Sequence, residues 1–117
     1  MKVKSFINIV DKTVSSVKQD IYAKREEYNL GEISDEFFTS IITDRCCKHL
    51  YHGLDTERLL IVFREKPELL SMRLDDHGID LEEVVFPYEI LIKIAVKEIL
   101  KYIDANRIMK DIKEAIS

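Results

Sequence analysis

The sequence predicts an all-α fold: a single-domain bundle of five to six helices around a central apolar helix near residues 88–103. Three observations carry this. The 117 residues include only 3 glycines and 2 prolines, far fewer than a sandwich or barrel needs for its turns. Hydrophobic residues make up 46% of the chain, enough for a core and too many for a disordered segment. Those residues recur at steps of three and four, the spacing of one face of a helix. The length fits one domain, residues 1–117.

The first segment runs from about Val3 to Tyr28. Val3, Ile7, Val10, Val14, Val17 and Ile21 form a heptad-like stripe, widened by Phe6, Ile9 and Tyr22. Lys4, Asp11, Lys12, Lys18, Asp20 and Arg25 occupy the other face. A stripe this long either faces the chain's own core or forms part of a dimer seam. Under the second reading Val3, Ile7, Val10, Val14, Val17, Ile21 and Tyr22 bind the partner.

The second helix has Ser34 as N-cap, with Asp35 and Glu36 where the helix dipole favours negative charge. Ile33 and Phe38 stand at the two positions of a hydrophobic staple. It runs to about His52, with Gly53 expected as the left-handed residue that closes it. The third helix, Thr56 to about Glu65, follows Asp55, and Leu54 and Leu59 again fit a staple. The fourth takes Pro67 at its first position and runs from Glu68 to about His77, closed by Gly78. Asp80 and Glu83 have capping-box spacing ahead of Pro87, which restarts or kinks the chain. The stretch 88–103 is apolar on most sides, as a buried helix is. After a break near Asp104, Ile108, Met109, Ile112 and Ile116 line the last helix. Leu59–Phe63 and Val84–Phe86 are apolar enough for short strands, but no hairpin turn chemistry flanks either.

Composition narrows the function classes. A net charge of −4 disfavours a nucleic-acid coat and leaves room for a local basic patch. Cys46 and Cys47 are adjacent and cannot easily meet disulfide geometry, so a reducing, cytoplasmic compartment is expected. The N-terminal residues have no long apolar run of the kind a secretory leader carries. The most apolar stretch, Ile90–Val96, is broken by Lys93 and is far short of a membrane span.

The second helix also holds the residues most able to carry chemistry. On a helical wheel Arg45, His49 and His52 fall on the same face as Phe37, Phe38, Ile41 and Ile42, with Lys48 at its edge. A face that is greasy in its first half thus becomes cationic in its second. Three such groups on an inward stripe need partners, a cleft, or solvent at the helix end. Cys46, His49 and His52 have helical spacing but no second clamp elsewhere in the chain, so no metal site is expected. No Gly-rich phosphate loop, nucleophile elbow or CxxC is present, and no cofactor is expected.

Arg45 and His52 have the spacing Arg-x6-His. That spacing resembles the motif of the HEPN ribonucleases, small helical domains that dimerise so that Arg and His of both subunits line a shared cleft. The resemblance covers eight residues. It implies metal-independent attack on RNA by the ribose 2′-hydroxyl, with His52 as acid/base group and Arg45 on the phosphate.

The remaining constellations are bland. Asp75, Asp76, His77 and Asp80 cluster near Gly78 without the spacing of a calcium loop. The third and fourth helices could form a helix-turn-helix, yet the second of them offers mainly Arg73 among acids. Interaction or regulation is therefore expected rather than catalysis: a homodimeric adaptor, inhibitor or immunity-type protein. Tyr22, Tyr28 and Tyr51 are its candidate anchors. The alternative is the ribonuclease with Arg45, His49 and His52 as site residues. A DNA-binding regulator is the lesser alternative.

Overall fold

The computed structural model describes residues 5–71 and 87–116. Within them lie six helices and no strand. They are α1 (Phe6–Ala23), α2 (Asp35–Gly53), α3 (Thr56–Glu65), α4 (Glu68–Ser71), α5 (Pro87–Leu100) and α6 (Ala105–Ile116). Leu59–Phe63 is part of α3, while Val84–Phe86 lies outside the described residues. So do Val3, Arg73, the acids near Gly78 and the Asp80–Glu83 pair. The fourth helix is described only as far as Ser71, so its expected end at His77 also lies outside.

Local chemistry explains most helix starts. The Ser5 hydroxyl accepts from the Asn8 N–H at 3.2 Å, and Ser34 does the same for Phe37 at 3.2 Å. The Asp55 carboxylate accepts from the Arg58 N–H at 2.9 Å. Asp104 accepts from the N–H groups of Asn106 and Arg107 at 3.0 and 3.2 Å, which places the break before α6 where the sequence puts it. Each cap satisfies an N–H that the helix leaves unpaired.

Three ends differ from the sequence expectation, the first being that of α5, which stops at Leu100 rather than near residue 103. α1 stops at Ala23 rather than continuing to Tyr28. After Ile21 no apolar residue continues the buried row, and the connection is pinned instead by buried Leu30. Asn29 takes the left-handed conformation there, φ 51°, which its short polar side chain tolerates. Gly53 does not close α2 in the left-handed region. It is the last helical residue, and Leu54 caps the helix at φ −83°, donating its N–H to the Leu50 carbonyl. Leu54 is buried, so the chain turns to place that side chain in the core.

Two apolar clusters form the core. In the first, Phe6, Ile9 and Val10 of α1 meet Leu50, Leu59, Val62, Ile94 and Ile99. In the second, Val17 and Ile21 meet Leu30, Phe38, Ile42, Cys46, Ile108 and Ile112. Val14, Leu100 and Ile103 pack against both. The staple pairs divide the same way, Ile33 with Phe38 in the second cluster and Leu54 with Leu59 in the first. Residues Ile94, Ala95, Val96 and Ile99 bury α5 as its apolar run predicts. α2 shares the centre, since it packs against α1, α5 and α6. Burying a side chain as large as Phe38 or Ile42 contributes about 1.5–3 kcal/mol.

The α1 stripe is split by this packing. Val10, Val17 and Ile21 are core residues and Val14 is half-buried. Ile7 and Tyr22 face outward, 54% and 38% exposed.

A polar cluster ties the start of α1 to the ends of α3 and α5. The Glu65 carboxylate accepts from the Phe6 N–H. Lys66 Nζ lies 5.0 Å from the Phe6 ring centre and 4.7 Å from that of Tyr102. It also donates to the Tyr102 hydroxyl at 2.6 Å and sits 3.6 Å from Glu98. Among the described residues no buried side-chain nitrogen or oxygen lacks a partner. None of the described helices is long and apolar enough to cross a membrane.

Candidate functional site

The cationic stripe of α2 opens onto a groove between α1 and α2. The groove encloses about 550 Å³ and is lined by Ser16, Val17 and Asp20 from α1 and by Arg45, Lys48, His49, His52 and Gly53 from α2. A smaller recess of about 230 Å³ lies beside it, lined by Ile9, Lys12, Thr13, His49, Leu50, Gly53, Leu54 and Arg58. His49 and Gly53 border both spaces.

The periodicity of the two helices produces this arrangement. The buried row of α2 is Phe38, Ile42, Cys46 and Leu50. A row of every fourth residue drifts by about 40° per step around a 3.6-residue helix. By the C-terminal half, Arg45 and His49 have therefore moved from the core face to its flank. The expectation that they sit mid-face fails for this reason: the face itself winds as α2 passes from one cluster to the other. α1 does the same. Its buried row Thr13, Val17 and Ile21 is flanked by Lys12, Ser16 and Asp20. Where the helices pack, these two flanking rows face a common space.

Arg45 is fixed by Asp20. Its Nε and Nη2 donate to the same carboxylate oxygen at 3.1 and 2.7 Å. That hydrogen bond, opposed by partial burial, holds the guanidinium above its ordinary pKa. His49 is half-buried, and burial is the first cause that lowers its pKa. The charges of Lys12 and Arg58 lower it further, and Asp20 opposes them. His52 is exposed at the groove mouth. Lys48 pairs along its own helix with Asp44 at 3.1 Å, and Arg58 pairs with Asp55 at 2.7 Å. Lys12, His49 and His52 make no ion pair with any described residue.

Arg45, His49 and His52 thus come together, and Lys12, Asp20 and Arg58 join them from elsewhere in the chain. The sequence signal for Lys12 and Asp20 is their place one residue ahead of the buried row of α1. Arg58 has no comparable signal, because α3 must fold back before it reaches the recess. Cys46 is turned into the core, where burial and then neighbouring Cys47 push its thiol up to about 11. It stands away from the imidazoles and is poorly nucleophilic at neutral pH. Among the described residues, no group of three His, Cys, Asp or Glu side chains is placed to hold a metal ion.

The expected partner surface on α1 does not gather around this groove. Val17 lines its floor, while Ile7 and Tyr22 lie outside it. Tyr22 is stacked by Arg25 at 4.3 Å. Tyr51 is 42% exposed, and Tyr28 packs against the second cluster. No protein-family model matches the chain, and no curated protein or solved structure is significantly similar to it.

Proposed function

We propose that this chain is a small helical interaction module that receives an acidic partner in the groove between α1 and α2. One observation carries the reading. In a chain of net charge −4, Arg45, Lys48, His49 and His52 line the groove and Lys12, His49 and Arg58 line the recess beside it, with Asp20 the one carboxylate among the described residues that line either space. Basic groups held together by a rigid scaffold attract and orient an anionic surface. Tyr22 and Tyr51, exposed on the same two helices, supply aromatic anchors of the kind interfaces favour. An adaptor, inhibitor or immunity-type role fits such a surface. A second copy of the chain fits it too, since Glu26, Glu27 and Glu32 stand exposed on the α1–α2 connection. The free thiols of Cys46 and Cys47 suit a reducing cytoplasm.

The test is fluorescence anisotropy with a labelled oligoglutamate peptide at low salt. Saturable binding, weakened at least about tenfold in Lys12→Glu/Lys48→Glu, supports the module. Equal binding by the charge-reversed variant counts against it, as does no binding by the wild type.

A second reading is favoured by one observation: Arg45 and His52 line the same groove. With the HEPN-like spacing, this makes metal-independent RNA cleavage the alternative. His52 would move the proton and Arg45 would hold the phosphate. Cleavage of RNA in EDTA by the wild type, lost in folded Arg45→Ala and His52→Ala, would replace the first reading with this one.

A further inference from the structure

We infer that the recess bounded by Lys12, His49 and Arg58 is a site for a phosphate group. This rests on the proposal that the groove takes anions, and it names which anion and where. The recess is the one part of the groove system whose described lining contains no carboxylate. Its three basic side chains come from three different helices, so they approach a common space from different directions. Ile9, Leu50 and Leu54 form a buried apolar floor, which strengthens charge interactions above it.

The donors suit a tetrahedral dianion better than a carboxylate. A carboxylate is planar and is matched by the edge of one guanidinium. Arg58, the guanidinium in the described recess lining, already holds Asp55, and Arg45 of the adjoining groove holds Asp20. Arg58 makes its contact through Nη1, leaving Nε and Nη2 outside it. The Thr13 hydroxyl donates to the Ile9 carbonyl at 2.8 Å, so the anion's donors are the basic groups. Burial is the first cause that lowers the His49 pKa, and repulsion by the charges of Lys12 and Arg58 lowers it further. The charged and titratable groups around that imidazole are Lys12 and Asp20 from α1, Arg45, Lys48 and His52 from α2, and Arg58 with Asp55 at the start of α3. On α5, Glu89 acts on Tyr51 instead. A dianion in the recess reverses the repulsion and favours the imidazolium.

The experiment follows the His49 ring proton by NMR through a pH titration, with the signal assigned by its loss in His49→Gln. Inorganic phosphate is the probe, and acetate at equal ionic strength is the control. Phosphate should raise the His49 midpoint by about one unit at saturation and leave His52 nearly unmoved. Folded Lys12→Gln and Arg58→Gln should each remove most of that rise. A phosphoserine peptide that acts at lower concentration than the free ion would place the phosphate on a partner chain. Equal potency would place it on a small ligand. An unmoved His49, an equal response to acetate, or a full response in Lys12→Gln overturns the site. If the oligoglutamate peptide still binds in that case, the phosphate inference alone falls. If neither anion binds, the interaction reading falls with it.

Discussion

Arg45 grips a single carboxylate oxygen of Asp20 through two nitrogens, at 3.1 and 2.7 Å. This contact joins the middle of α2 to the end of α1 and sets one wall of the groove. It also leaves the groove with a carboxylate inside it. Both partners are partly solvated, 29% and 37% exposed on the side chain, so the pair contributes modestly to stability, about 0.2–1 kcal/mol.

Asp20→Asn should therefore melt close to wild type. It should bind the oligoglutamate peptide more tightly, because an anion in the groove no longer meets a like charge. Anisotropy at low salt reads the change. Weaker binding by Asp20→Asn would mean that Asp20 organises the groove and does not oppose its ligand.

The two halves of the α1 stripe should respond differently to truncation. Ile21 is fully buried in the second cluster, and Ile21→Ala should cost about 2–5 kcal/mol in denaturant unfolding. Ile7 is 54% exposed, and Ile7→Ala should stay within about 0.5 kcal/mol. A dilution-dependent loss of stability in Ile7→Ala would instead reveal a seam between copies.

Gly53→Ala should stabilise the chain by about 0.4–1 kcal/mol. Gly53 is helical, and an added Cβ meets no atom within 4 Å. Alanine also restricts the unfolded chain. A thermal melt that falls in Gly53→Ala would show that the residue needs the left-handed region after all.

Lys66 links pH to stability at the far end of the bundle. Its hydrogen bond to Tyr102, with smaller help from Glu98 and Glu68, raises its pKa against the effect of burial. A raised folded value means that the contribution is complete below the unfolded lysine pKa of about 10.4 and is lost as pH rises through the folded value. Lys66→Met should cost roughly 1–2 kcal/mol at neutral pH through the lost ring and hydroxyl contacts. Urea titrations should show the gap to wild type narrowing above about pH 10.4. A gap that stays constant or widens would contradict the assignment.

Much of the fold was legible because its signals are local. Ser34 and Asp55 cap the helices they precede, and the staple residues beside them meet in the core. The apolar run of α5 announces its own burial. The misjudged positions depend on packing that the local pattern does not contain. α1 ends early because Leu30 takes over as anchor, and Gly53 stays helical because Leu54 must turn inward. The site was half legible. Arg45, His49 and His52 stand out on a wheel, but a fixed wheel hides the winding of the buried row. Lys12 and Arg58 reach them only when α1 and α3 pack against α2, so the recess belongs to the tertiary structure alone.

The central claim is that an anionic partner docks between α1 and α2, and amide NMR mapping tests it most directly. Titrating labelled protein with the oligoglutamate peptide should shift signals from Ile9 to Asp20 and from Arg45 to Arg58, and salt should suppress the effect. Signals of α6, which lines neither the groove nor the recess, should stay in place. Shifts centred on α6, or scattered evenly over the surface, would contradict the account.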